Sequence, residues 1–263
     1  MNWNRIYSML LRYLYLYPRS VPRILDIVFW PIVDILLWGF LTVFLSQFRQ
    51  GVPLVVPIIL GALIFWNFVQ RSQQAVSIAF LEEVWERNLL NIFVTPLRLS
   101  EFLAATVFVG FVRLFLIGFI TSITAFLLFQ FNIFIFGLFL VPFILNLFLY
   151  GWILGLIATS IVMRFGQSAQ VLAFALTVLL QPFVAVFYPV SVLPAVLQAV
   201  AYIIPVTHVF EGMRSVVLLG QLPMENLLSA FFLNIVWLSL SIALFFNMFN
   251  YVKKTGQLMR LID

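Results

Sequence analysis

A chain of 263 residues with 64% hydrophobic and only 9% charged side chains falls far below the ~25% charge of a soluble domain, so the bilayer must be its solvent. With no cysteine, a disulfide framework, a thiolate nucleophile and a zinc–thiolate site are excluded. The net charge of +5 does not point to nucleic acid, because the basic residues flank apolar segments instead of forming a surface stripe.

Residues 1–23 are too polar to span a membrane. Asn4 is placed to cap a helix that Pro18 ends. Trp3, Tyr7, Tyr13, Tyr15 and Tyr17, interleaved with Arg5 and Arg12, suit a helix lying in the interface, rings at headgroup level and arginines toward anionic lipid. The first span is predicted over 24–46, with Asp26 near its start and Asp34 well inside. The second, over 54–80, is apolar in its first half and polar in its second, where Asn67, Gln70, Arg71, Gln73 and Gln74 crowd together.

A polar island follows at 81–98: Glu82, Glu83, Glu86 and Arg87, closed by Thr95-Pro96 and Arg98. On a helical wheel Leu81, Val84, Trp85, Leu89 and Ile92 share one face, and Glu82, Glu83, Glu86 and Arg87 the other. Glu83 and Arg87 have the favourable i, i+4 order of an ion pair. Pro96 cannot continue a helix, and the residue before it is biased to extended geometry. The pattern predicts a short amphipathic helix with an acidic outer face. Leu90 stands alone on that charged face.

Span three is predicted over 101–129 and contains Arg113. A tight turn at Gln130-Phe131-Asn132 leads to span four over 133–163, with Pro142 and Asn146 as expected kink points. Span four carries Gly151-x-x-x-Gly155, a close-packing motif in membranes that also arises by chance in apolar sequence. Span five is predicted over 169–188. Residues 189–220 would read as a further span, but Pro205 interrupts it and His208, Glu211 and Arg214 would be buried at high cost. Two short helices forming a re-entrant hairpin fit better: one opening at Pro194, the other capped by Thr207 and closed by Gly220. The last span is predicted over 226–251. The whole is one all-α polytopic membrane domain, 1–263, of six spans.

Six spans put both termini on one side. Ten basic residues (Arg5, Arg12, Arg19, Arg23, Arg87, Arg98, Arg164, Lys253, Lys254 and Arg260) share that side with the island; Arg49 and Arg214 lie opposite. That bias places the termini and the island in the cytoplasm of a multi-pass inner or plasma membrane protein. Asp34, Arg71 and Arg113 sit inside spans at roughly 14–18 Å depth, taking 1.5 Å per residue. Asp34 paired with Arg71 or Arg113 is the expected arrangement, either as a gating or pathway pair or as a structural clasp. Glu211 and Arg214, i and i+3, suit a local pair or an outer gate, with His208 as a polar anchor. An enzyme is not indicated: His208 is the one histidine, no G-x-S-x-G turn accompanies it, and no G-x-x-x-x-G-K-[ST] phosphate loop is present.

Two motifs give this layout a family likeness. E-R-N-L-L-N-I-F-V-T-P-L, Glu86 to Leu97, resembles the cytoplasmic E-x-x-x-G-T-L-x-x-L-x-x-[ST]-P-[LV] pattern of type-2 ABC transporter (ABC-2) permeases, with Asn88-Leu89 near the place of the usual glycine. F-Y-P-V-S-V-L-P followed by Y-I-I-P-V-T-H-V-F-E-G-M-R resembles their outer hairpin, ending in Pro205 and Arg214. The amphipathic N-terminal segment agrees. The resemblance implies the membrane subunit of a bacterial ABC exporter, working as a dimer of two permease copies. Each copy docks on a separate ATPase that carries ATP and Mg, and this chain holds no cofactor. It also implies that Glu82, Glu83, Glu86, Arg87, Leu90 and Pro96 form the coupling contact, with the acidic face as rim charge and Leu90 as a hydrophobic plug. A membrane scaffold without a path of its own is the alternative. A secondary transporter would predict two related halves, and no internal repeat is evident.

Overall fold

The computed structural model describes residues 2–16, 18–48, 55–85, 94–169, 171–220 and 223–255, and among these the chain is all-helical with no strand. Four helical stretches are long and apolar enough to cross a membrane: Arg23–Leu45, Leu99–Phe129, Ile133–Phe165 and Met224–Lys254. A bent pair, Ala195–Ile203 with Pro205–Leu219, adds a fifth if the two are counted as one.

Helix α1 (Trp3–Leu16) is amphipathic, burying Ile6, Met9 and Tyr13. The side chain of Asn2, not Asn4, caps it by accepting from the Asn4 backbone N–H at 3.0 Å. Helix α2 (Val21–Phe48) is mostly exposed along its apolar length. Helix α3 (Val55–Trp85) is the central element, with Leu60, Ala62, Ile64, Phe65 and Val69 fully buried. It packs against α2, α4 (Leu99–Phe129) and α5 (Leu140–Phe165).

The glycines of α5 explain the closest of these contacts. A Cβ on Gly151 would sit 2.4 Å from the Ser72 Cβ and 2.6 Å from the Val69 carbonyl oxygen. One on Gly155 would sit 2.8 Å from the Val76 Cβ and 2.9 Å from the Gln73 carbonyl oxygen. The Gly-x-x-x-Gly spacing therefore lets the α5 backbone lie directly on α3. On its other side α5 holds α9 (Met224–Lys254): the Asn234 amide donates to the Asn146 side-chain oxygen at 3.0 Å and to its backbone carbonyl at 3.1 Å.

Three expectations are corrected. The break in the fourth span falls at Gly137, not at Pro142 or Asn146. Gly137 lies within a 3₁₀ segment, Ile133–Phe139, at φ 54° and ψ −136°, a backbone open to glycine. Pro142 sits in the first turn of α5, where no N–H is needed. The fifth span is not one continuous helix. Helix α6 (Leu172–Leu180) has nine residues, about 14 Å at 1.5 Å per residue. Pro182 stands just beyond it, and the chain turns through Ala185, a non-glycine residue at φ 52°. Its buried Val184, Ala185 and Val186 make that turn part of the core. Finally, Thr207 is not a cap. Helix α7 (Ala195–Ile203) ends at Ile204, and α8 (Pro205–Leu219) starts on Pro205, bent 99° from α7. Proline takes the first helical position, where its fixed φ suits a helix start, and Gly220 closes α8 at φ 61°.

Candidate functional site

The polar island begins as the end of α3, which continues through Trp85. Leu81, Glu82 and Glu83 therefore belong to its last turns and not to a separate short helix. Glu86, Arg87 and Leu90 lie outside the described residues, as do the side chain of Trp85 and Leu89, which is expected on the same face.

Glu83 does not face outward as the wheel predicts; it is 1% exposed. The two Arg12 guanidinium nitrogens donate to its two oxygens at 2.7 and 3.0 Å, and the Tyr13 hydroxyl donates at 2.9 Å. Such bidentate, charge-assisted geometry is the strong form of hydrogen bond. Burial, and then the adjacent Glu83 carboxylate, push the Tyr13 hydroxyl far above the ordinary tyrosine range, so it stays protonated and donating. A wheel describes one helix only. It could not show that α1 lies across the face it assigned to a partner. Glu82 in turn lies 3.2 Å from Arg23 Nε.

The far flank of the island is tied to the same region. Glu101, 1% exposed in the first turn of α4, accepts from the backbone N–H of Arg98 at 2.9 Å and of Asn2 at 2.6 Å. Arg5 lies 3.7 Å from the same carboxylate and donates to the Pro96 carbonyl. Arg5, Arg12 and Arg23 thus hold both ends of the island through α1 and the start of α2. Sequence reasoning missed Glu101. Its place three residues after Arg98, in the first turn of a helix, is the signal that was available.

At the opposite end of the helices, Glu211 and Arg214 pair within α8 at 2.9 Å. Glu211 also accepts the Val190 backbone N–H at 2.7 Å, and Arg214, 5% exposed, donates to the Val186 carbonyl at 3.2 Å. The pair therefore pins the turn after α6 onto α8, beneath Pro205. A ring nitrogen of His208 meets the Tyr202 carbonyl at 2.9 Å, across the bend between α7 and α8. Glu211→Ala is expected to lower stability by about 2 kcal/mol, because a buried guanidinium and a backbone N–H lose their shared acceptor. Thermal unfolding in detergent measures it.

Within the spans, Arg71 bonds Asp26 at 2.7 Å and Gln74 at 3.0 Å. This corrects the expected Asp34 pairing: the carboxylate nearer the start of α2 holds the guanidinium. Asp34, half-buried in mid-helix, lies within electrostatic reach of Arg71 but makes no ion pair with it. Arg113 is half-buried on α4, and no ion pair joins it to Asp34.

These features (long apolar helices, an island clasped by the N-terminal helix, a bent outer helix pair) accompany a family match: the model of the ABC-2 type transporter covers residues 11–218. The chain belongs to this family. No curated protein matches it in sequence. As an ABC-2 subunit it is a multi-pass membrane protein and a transport component, and membership implies an ABC ATPase as partner. The match runs from Leu11 in α1 to Leu218 in α8. It takes in Arg12, the island and the Glu211–Arg214 pair, and leaves α9 outside.

Proposed function

We propose that the chain forms one half of the passage of an ATP-driven exporter, paired with a second copy. Each copy docks on a separate ATPase subunit that holds ATP and Mg. The single observation that carries this reading is the clasp: α1 and the start of α2 are ion-paired to Glu82, Glu83 and Glu101 on both flanks of one polar segment. A push on that segment would move the ends of α3 and α4 together with α1, which is what a motor acting on a membrane cavity requires. Because Glu82 and Glu83 are engaged within the chain, Glu86, Arg87 and Leu90 carry the proposed contact with the ATPase, and Pro96 holds its end in place. In this reading the membrane is crossed six times, counting α3 and the segment 169–188, with both termini in the cytoplasm as the basic-residue bias asks. Asp34, beside the Asp26–Arg71 pair, is the candidate pathway charge.

Purification with its ATPase, followed by substrate-stimulated ATP hydrolysis, tests the assignment. A subunit that purifies alone and leaves hydrolysis unaltered overturns it. Leu90→Glu is expected to leave the ATPase active but cut transport per ATP at least tenfold; unchanged coupling would remove Leu90 from the contact.

A further inference from the structure

A cleft runs along the outside of α5, between α4 and α9. It consists of two cavities of about 320 and 310 Å³ that share Val107 and Trp152. Val107 and Phe111 line one wall, Phe231 and Phe246 the other, and Trp152 and Leu156 the floor. Along α5 it extends from Pro142 to Leu156, about 21 Å at 1.5 Å per residue. That is more than half of a ~30 Å hydrocarbon core, and it suits one long acyl chain drawn out straight beside the helices. The rim residues Phe108 and Phe231 are exposed, so the cleft faces the bilayer.

One end of the cleft is framed by charge. Ser100 lines that end, one residue before Glu101, which Arg5 approaches at 3.7 Å. The Trp3 ring packs edge-on against Phe108 at 5.4 Å and is otherwise exposed, as an indole at headgroup level is. At the same end α5 finishes with Arg164, its guanidinium 5.0 Å from the Tyr251 ring centroid, and α9 finishes with exposed Lys253 and Lys254. The carboxylate nearest this mouth, Glu101, is buried and already neutralised. A basic, aromatic mouth on an apolar slot is complementary to an anionic headgroup carrying a long tail.

We propose that this cleft holds one acyl chain of a resident anionic phospholipid, its headgroup among Arg164 and the α9 lysines. The lipid fills the gap between α4 and α9 and braces α1 through Trp3. This site does not depend on the transport reading, since it is built from α1, α4, α5 and α9, with Val76 of α3 also lining it.

The test compares the wild-type chain with Ala104→Phe, which places a ring inside the cleft. After detergent exchange, retained phospholipid is counted by mass spectrometry. The wild type is expected to keep one anionic phospholipid per chain, and the variant to lose it with its unfolding temperature preserved. Equal retention in the two, or a wild type stripped of phospholipid, overturns the proposal. A second measurement guards against misfolding of the filled variant. Wild type and Trp152→Phe are placed in vesicles of phosphatidylcholine and dibrominated phosphatidylglycerol, and then in vesicles where only the phosphatidylcholine is brominated. Quenching of the Trp152 component is expected in the first alone. Equal quenching in both shows ordinary bilayer contact and sinks the anionic site.

Discussion

Arg12→Ala is expected to damage the protein more than Glu83→Ala, although the two side chains make one pair. Glu83 is 1% exposed, whereas the Arg12 side chain keeps 32% of its surface. Truncating Glu83 takes one partner from a guanidinium that water can reach and strands the buried Tyr13 hydroxyl, a cost of about 2 kcal/mol. Truncating Arg12 takes the bidentate guanidinium away from a carboxylate that water cannot reach, a cost of about 3–4 kcal/mol. The double variant should be milder than Arg12→Ala alone, because no buried charge then remains at that point. Thermal unfolding of all four proteins in detergent gives the cycle. Additive losses would mean that α1 is only loosely apposed to α3. Transport should fall further than stability explains, since α1 would no longer move with the island; transport that tracks the folded fraction would make the clasp purely structural.

Gly151→Ala should be among the most damaging single-methyl changes in the transmembrane core. The added Cβ meets a backbone oxygen at 2.6 Å and the Cβ of Ser72 at 2.4 Å. Neither belongs to the far end of a flexible side chain, so α5 and α3 must separate along their contact. Overpacking of this kind costs about 2–3 kcal/mol, and Gly155→Ala about as much. Gly118→Ala is the control: its Cβ meets only the Phe68 ring, at 2.8 and 3.0 Å. That ring can swing aside, so the cost should stay under about 1 kcal/mol. Monodisperse yield and unfolding temperature separate these outcomes, and equal effects at Gly118 and Gly151 would refute the packing argument.

The long helices were legible because lipid-facing apolar runs announce themselves: predicted limits of 101–129 and 226–251 compare with Leu99–Phe129 and Met224–Lys254. The break at Pro205 was legible for the same reason that proline is legible anywhere, since it lacks an N–H. Pro182 carries the same signal inside an apolar stretch, and it marks where α6 stops after nine residues instead of running on as one continuous helix. The clasp was illegible for another reason. Arg12 and Glu83 stand 71 residues apart, and Asn2 and Glu101 stand 99 apart. A helical wheel sorts residues by angle on one helix, so a carboxylate turned toward a neighbouring helix looks the same as one turned toward water. The same blindness favoured Asp34 as the partner of Arg71. Depth along the helix ranked the charges, and the packing of α2 on α3 brought Asp26 to the guanidinium instead.

The separations that hide the clasp also set an order of events during synthesis. At about 5–20 residues per second, the partner of Arg12 emerges roughly 4–14 s after Arg12 itself. The Asn2 backbone waits longer for Glu101. Through that interval α1 is complete but undocked, with Ile6, Met9 and Tyr13, which are buried in the finished fold, still uncovered. Exposed Trp3, Tyr7 and Tyr15 are suited to hold the segment at the membrane surface meanwhile. The first helix to be made is thus locked only once the end of α3 and the start of α4 have followed it. Its arrival on Glu83 and Glu101 joins the end of α3 to the first turn of α4.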